Sequence, residues 1–258
     1  MRATVTQPFL IIETGQPVAS LRRHRGFSHW IRVAAGLDPD DAITVDVQGG
    51  EALPSREGFA GAIVTGSSAM VTERAEWSER TAAWLRDAAH AGMPLFGICY
   101  GHQLLAHALG GAVGDHPQGR EMGTVEIELH PAAADDALFG PMPAQFQVQT
   151  SHLQTVLQVP PGAQVLAWSV HDACHAFRWG ERVWGVQFHP EFSATHMRGY
   201  VRARQVALQR EGLCPKTIMA TVGATPEGRR VMRRFVHHAR QLQHADRAAS
   251  SLTNAVYA

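Results

Sequence analysis

The chain has 258 residues, 45% apolar and 18% charged, which is the balance of a globular protein with a sizeable core and excludes a disordered chain. Twenty-three basic residues offset twenty-three acidic ones, so the basic excess that draws proteins to phosphate backbones is missing and nucleic acid is not expected as a partner. Three cysteines, at 99, 174 and 214, are odd in number and widely spaced; they make no disulfide framework and predict a reducing compartment. The only apolar run near the start, Phe9-Leu10-Ile11-Ile12, is shorter than a secretory core, and no stretch approaches the ~20 residues of a membrane span. A cytoplasmic protein without a membrane partner is expected.

In chain order, Phe9 to Ile12 is a compact apolar run and predicts a buried strand. Residues 18–35 follow at loosely helical spacing, with Val18, Leu21, Trp30, Ile31 and Ala34. Ile43 to Val47 is β-branched and alternating, a second strand. Ala60 to Val64 is a third, ending at Thr65-Gly66-Ser67. Residues 74–91 carry Ala75, Trp77, Ala82, Trp84, Leu85 and Ala88, a helix stopped by Gly92 and Pro94. Pro94 to Ile98 predicts a central strand, and Gln103 to Leu109 a helix ended by Gly110-Gly111. This β-α order implies a parallel sheet with helices on both faces.

Past residue 112 come short strand candidates at 123–129, 144–149, 164–170, 175–179 and 182–188. They either extend the sheet or form an antiparallel flap at its edge. From Thr195 the chain turns helical. Thr225-Pro226-Glu227 predicts a helix start with Thr225 as N-cap, and the last dozen residues, rich in Ala and Ser, predict a frayed end. No repeat or low-complexity linker divides the chain. One domain over 1–258 is expected, with a catalytic part at about 8–192 and a helical extension at about 195–245.

The segment most informative about chemistry is Gly97-Ile98-Cys99-Tyr100-Gly101-His102-Gln103. An apolar strand runs into a cysteine, then a glycine, then a helix, which is the layout of a nucleophile elbow. A thiol at a helix N-terminus meets partial positive charge that favours the thiolate. The amide N–H of Tyr100 is placed to donate to an oxyanion. Taken alone, the short pattern also fits a buried structural cysteine at a sheet-to-helix crossing. The second segment, Val186 to Glu191, is an apolar strand ending in His189-Pro190-Glu191. A thiol nucleophile needs a base, and a base needs a group to fix its tautomer; His189 and Glu191 have those chemistries. Alone, His-Pro-Glu also fits a surface turn.

Together the two motifs resemble the class I (triad) glutamine amidotransferases, the glutaminase parts of GMP synthase, carbamoyl-phosphate synthetase and anthranilate synthase. The likeness runs from about residue 60 to 192. It implies a doubly wound, mostly parallel, flavodoxin-like α/β sheet. It also implies Cys99 as nucleophile, forming a γ-glutamyl thioester, His189 as acid/base and Glu191 as its orienting carboxylate. By the same resemblance Gln103 helps hold the substrate, and Gly66, in Thr65-Gly66-Ser67, completes the oxyanion hole with Tyr100. Ser151-His152 resembles a Ser-His that touches the substrate's α-carboxylate. Leu153-Gln154 depart there from the usual Gly-Asp, and the Gly66 loop departs from Ser-Gly-Gly-Pro.

The activity implied is hydrolysis of the γ-amide of glutamine without a cofactor. No synthetase domain follows Glu191 in this chain, so ammonia would pass to a separate synthetase subunit. The alternatives are a hydrolase of γ-glutamyl peptides or conjugates acting alone, and a non-catalytic binding module on the same fold. Fifteen histidines invite a metal, but Cys174 and His175 would point to opposite faces of a strand, and no second pair has zinc spacing. No metal is expected. His237-His238, beside Arg233, Arg234 and Arg240, is expected on a solvated basic face.

Overall fold

A computed structural model describes residues 6–256, with side chains through residue 246. Residues 1–5 therefore lie outside the described residues, as do the side chains of the Ala- and Ser-rich end. Eleven strands are described: β1 Phe9–Glu13, β2 Ala42–Asp46, β3 Gly61–Val64, β4 Leu95–Ile98, β5 Ala112–Asp115, β6 Glu121–Leu129, β7 Gln145–His152, β8 Gln154–Gln158, β9 Ala163–Trp168, β10 Ala176–Trp179 and β11 Val183–Val186. The helices are α1 Phe27–Ala35, α2 Glu76–His90, α3 Tyr100–Ala108, α4 Ala194–Ala203, α5 Gln205–Arg210, α6 Pro215–Thr221 and α7 Pro226–Val256.

Nine strands form one sheet in the order β2-β1-β3-β4-β11-β10-β9-β6-β7. Its first five strands are parallel, and from β11 onward every pairing is antiparallel. The five strands expected past residue 112 thus extend the sheet, the first of the two expected arrangements. β1, β3, β4 and β11 are buried along their whole length. Covered on both faces, they are continuous apolar runs rather than alternating ones.

Alternate side chains of β1 divide the core. Phe9 and Ile11 join α1, α4 and α7 on one face, while Leu10 and Ile12 join α2 and α3 on the other. This is the doubly wound arrangement that the alternating β and α patterns predict. β1 lies between β2 and β3, so the chain order reverses there. Ligand crevices in such sheets open at the carboxyl ends of strands near that reversal. Thr14, Thr65, Cys99 and Gln187 are the residues that leave β1, β3, β4 and β11 at that rim.

Several elements differ from expectation. Residues 18–35 hold a 3-10 turn at Ala19–His24 and then α1, because Arg25 takes a positive φ of 72° and Gly26 is extended. α3 begins at Tyr100, directly after the cysteine, rather than at Gln103. β5 and β8 were not anticipated and pair with each other in a small separate sheet. The region after Thr195 is three short helices, broken at Arg204 and by Gly212 and Pro215. α7 starts at Pro226 as expected but runs on to Val256. Its basic face is not simply solvated: Arg234 donates to the Ala137 carbonyl at 2.7 Å, Arg240 pairs with Asp41 at 2.9 Å, and His238 packs edge-on against Trp184.

Candidate active site

Cys99 lies between β4 and α3 with φ 51° and ψ −101°. That conformation is rare for a side-chain-bearing residue and is the strained turn of a nucleophile elbow. Two glycines make the turn fit. A Cβ on Gly101 would lie 2.6 Å from the Val64 carbonyl oxygen, and one on Gly97 would press on the Gly101 backbone and lie 2.7 Å from Leu105 Cδ1. The Cys99 amide donates to the Val186 carbonyl at 2.8 Å, which ties the elbow to β11.

β11 supplies the second part. Two residues past its Gln187 connection, the His189 amide donates to the Gln149 carbonyl at 2.8 Å. His189 Nδ1 lies 2.7 Å from Glu191 Oε1, leaving Nε2 as the nitrogen free to meet the thiol. Cys99 and His189 are close enough to shift one another's titration. Phe192 stacks on the imidazole at 4.0 Å between ring centres and fixes its plane. All three side chains are buried, at 5%, 4% and 1% exposure for Cys99, His189 and Glu191, so water screens their interaction little.

Burial alone would raise the Cys99 thiol pKa, but the positive imidazole of His189, its hydrogen bond and His152 outweigh burial, and the thiol is shifted down. Burial likewise works to depress His189, yet the Glu191 carboxylate and the Cys99 sulfur raise it to about 10. The shifts are opposite in sign, as they are when a proton moves from sulfur to nitrogen and leaves a thiolate–imidazolium pair.

The other expected residues gather around this line. Tyr100 opens α3, and its amide is among the N–H groups a helix start leaves without an intrahelical acceptor. Gly66 is packed against His189: a Cβ there would lie 2.9 Å from His189 Cε1 and 3.7 Å from Cys99 Cβ. The Gly66 carbonyl accepts from the Thr14 and Thr65 hydroxyls at 3.2 and 3.0 Å. Because the peptide is planar and trans, this turns the N–H of Ser67 to the opposite side. No motif or spacing marks Thr14 as a contributor.

Gln103 is buried, and its amide nitrogen donates to the Gln154 carbonyl at 2.6 Å and to Gln187 Oε1 at 3.0 Å. The Ser151 carbonyl lies 4.0 Å from Cys99 Sγ, and the Ser151 hydroxyl is buried without a partner among the described residues. The His152 ring turns inward: Nδ1 is 3.0 Å from the Gln154 carbonyl and Nε2 is 3.0 Å from Glu121 Oε2.

Glu121 belongs to a network that sequence spacing does not reveal. Its Oε2 also lies 2.8 Å from His175 Nε2, and its Oε1 accepts from Ser169 at 2.8 Å. Burial would raise its pKa, but hydrogen bonds from His152 and His175 hold it far below the ordinary carboxylate range. Glu121, His152 and His175 bring three ligand-type atoms within 4.8 Å of one another. Those atoms are already joined through Glu121, while His175 Nδ1 is buried without a partner among the described residues.

Two adjoining cavities, of about 120 and 40 Å³, open beside the cysteine and share Ser67, Ser68, Ser151 and Arg204. The larger lies on the His189 side and reaches Gln16, Phe27 and Tyr200. The smaller holds Cys99, Tyr100, Gln103 and Arg120. Among the described residues, no aspartate or glutamate lines either one.

Comparison with known proteins supplies the lineage. The model of the family Glutamine amidotransferase class-I matches residues 43–207. The glutamine-hydrolyzing GMP synthase of Aeropyrum pernix is 38% identical over 146 residues, which is 57% of this chain and 26% of that protein. The glutamine-hydrolyzing GMP synthase of Thermomicrobium roseum is 39% identical over 135 residues, 52% of this chain and 24% of that one. This chain thus spans about a quarter of the length of each of these relatives. A glutamine amidotransferase from Thermotoga maritima shares the fold, with a TM-score of 0.71 at 19% identity over 91% of this chain and 98% of that one. The family match covers well over half of the chain and includes the elbow at Cys99 and the strand end at His189: the chain belongs to the class-I glutamine amidotransferases.

Proposed function

We propose that this chain hydrolyses the γ-amide of glutamine through a thioester on Cys99 and passes the ammonia to a separate acceptor enzyme. One observation carries most of the weight: the buried line from Cys99 through His189 to Glu191, with its 2.7 Å His–Glu contact and oppositely shifted thiol and imidazole.

The Cys99 thiolate attacks the γ-carbonyl carbon, and the carbonyl π electrons move onto oxygen. N–H groups at Tyr100 and at the Gly66–Ser67 turn hold the oxyanion; one such donor commonly contributes ~10²–10³ in turnover. Collapse breaks the C–N bond, and the nitrogen takes its proton from His189 Nε2, leaving as ammonia. Water then adds to the thioester as His189 takes its proton. The second collapse expels the Cys99 thiolate beside protonated His189, which restores the starting pair, and releases glutamate. Glu191 holds Nδ1–H throughout.

The larger cavity, on the His189 side, favours a second reading, in which the leaving amine is bulkier than ammonia and the enzyme cleaves γ-glutamyl peptides by itself. Assay of the purified protein on L-glutamine and on γ-glutamyl dipeptides separates the two, and strong preference for dipeptides would sink the amidotransferase version. Diazo-oxo-norleucine is expected to label Cys99. No adduct, with no activity lost in Cys99→Ala, would instead leave a binding module.

A further inference from the structure

The substrate cavities contain a cation that the motifs do not predict. Arg204 sits at the break between α4 and α5, where the backbone leaves helical geometry at φ −100° and ψ 9°. Its side chain lines both cavities. Its Nε is buried and has no hydrogen-bond partner among the described residues. Leaving a buried donor without an acceptor is destabilising, and more so when the group is charged. Such a site persists when something outside the free protein completes it.

Two other cations line the cavities: Arg22, whose Nε donates to the Pro17 carbonyl at 3.1 Å, and Arg120. Arg120 makes a two-pronged contact with Glu211, at 2.7 and 2.9 Å. Burial and the nearby Arg120 guanidinium push Arg204 below its ordinary pKa, and both arginines line the smaller cavity. That cavity also holds Cys99, Tyr100 and Gln103. Meanwhile, apart from the unpartnered Ser151 hydroxyl, the side chains at the turn from β7 to β8 offer little to a substrate carboxylate. Both His152 nitrogens face inward. Leu153 is apolar, and the Gln154 amide is bound to Thr72 and Asp115 at 2.6 and 3.0 Å.

We propose that Arg204 is the specificity residue that receives the α-carboxylate of the γ-glutamyl substrate. This rests on the glutaminase reading above and deepens it. The planar fork of an arginine matches a carboxylate with two parallel hydrogen bonds. With no acidic residue among the described lining of either cavity, that fork is uncontested there.

The test measures binding of L-glutamine and of L-glutaminamide, whose α-carboxylate is replaced by a neutral amide, to the Cys99→Ala protein and to Cys99→Ala with Arg204→Met. Arg204→Met should weaken glutamine roughly 10- to 100-fold and leave glutaminamide unchanged. Arg204→Lys should fall between. Equal weakening of both ligands, or none, overturns the assignment. So does a loss seen only with the C-terminal carboxylate of a γ-glutamyl dipeptide. Melting temperature is the second readout: Arg204→Met removes an unsatisfied buried donor and should leave it unchanged or higher, whereas a structural arginine would lower it. Turnover of glutamine by the unmodified protein is measured separately. Turnover with no effect of Arg204 sinks this proposal alone, and Arg204-dependent binding without turnover sinks only the glutaminase reading.

Discussion

At the scale of single residues, the candidate site is concentrated in a few atoms held under strain or burial. Cys99 occupies positive φ at the elbow, a conformation that costs on the order of 1–3 kcal/mol for a residue with a side chain. Of two variants that both lack the thiol, Cys99→Gly should therefore be more stable than Cys99→Ala by about 1 kcal/mol, read from denaturant midpoints. The ordinary preference runs the other way, so a more stable alanine variant would deny the strain. The titration shifts predict the pH profile. The thiolate–imidazolium pair persists above the lowered Cys99 pKa and below the His189 value of about 10. kcat/KM should fall on the low-pH side as sulfur gains a proton, at a pH below the ordinary thiol range, and fall toward pH of about 10 as His189 loses its own. Glu191 raises the His189 value, so Glu191→Gln should move the alkaline limb to lower pH while keeping some rate. An unmoved limb would remove Glu191 from the role of orienting partner.

At the scale of elements, close contact between α3 and β3 sets where Cys99 stands. A Cβ at Gly101 would fall 2.6 Å from the Val64 carbonyl oxygen and 2.8 Å from Val64 Cβ, both parts of a buried parallel strand that cannot yield. Gly101→Ala should cost about 1–3 kcal/mol and depress turnover together with stability. An alanine variant with an unchanged melting temperature would show that α3 can ride outward freely. This region is also where the sequence is most legible. Gly97, Cys99 and Gly101 carry the elbow in their order alone, and β1, β3, β4 and β11 are apolar runs because both faces are covered. β5 and β8 escape such a reading. β5 is four residues long, includes Gly114 and is barely buried, while β8 continues from β7 with only Leu153 between them. Arg204 is equally hidden, since nothing local marks the residue between two short helices as part of a cavity formed with β7 and the β3 turn.

Over the whole molecule, Glu121 joins regions far apart in sequence: β6 through its own backbone, β7 through His152, and the β9–β10 connection through Ser169 and His175. Pattern recognition misses this network because Glu121 lies 31 residues from His152 and 48 from Ser169, in no short motif. Only the antiparallel order β10-β9-β6-β7 brings them together. Removing one member of a buried ion network leaves the others uncompensated, at about 3–5 kcal/mol. Glu121→Gln should destabilise the protein by roughly that amount. The pH dependence follows from the sign of the shift. Folding lowers the carboxylate pKa from its ordinary value of 4.5, so its contribution is complete above that value and is lost as the pH falls through the lower folded one. The melting temperature of the unmodified protein should drop in acid more steeply than that of Glu121→Gln; parallel curves would show the network to be inert.

The pairing of β4 with β11 has a kinetic meaning as well. Sulfur and imidazole hang from the ends of neighbouring parallel strands, and the backbone of Cys99 itself bonds to Val186. Their spacing is thus as stiff as the sheet centre, where local opening is rarest. The amide hydrogen of Cys99 should exchange with deuterium among the slowest in the protein, and under the proposed mechanism the thiol would then act from a nearly immobile point.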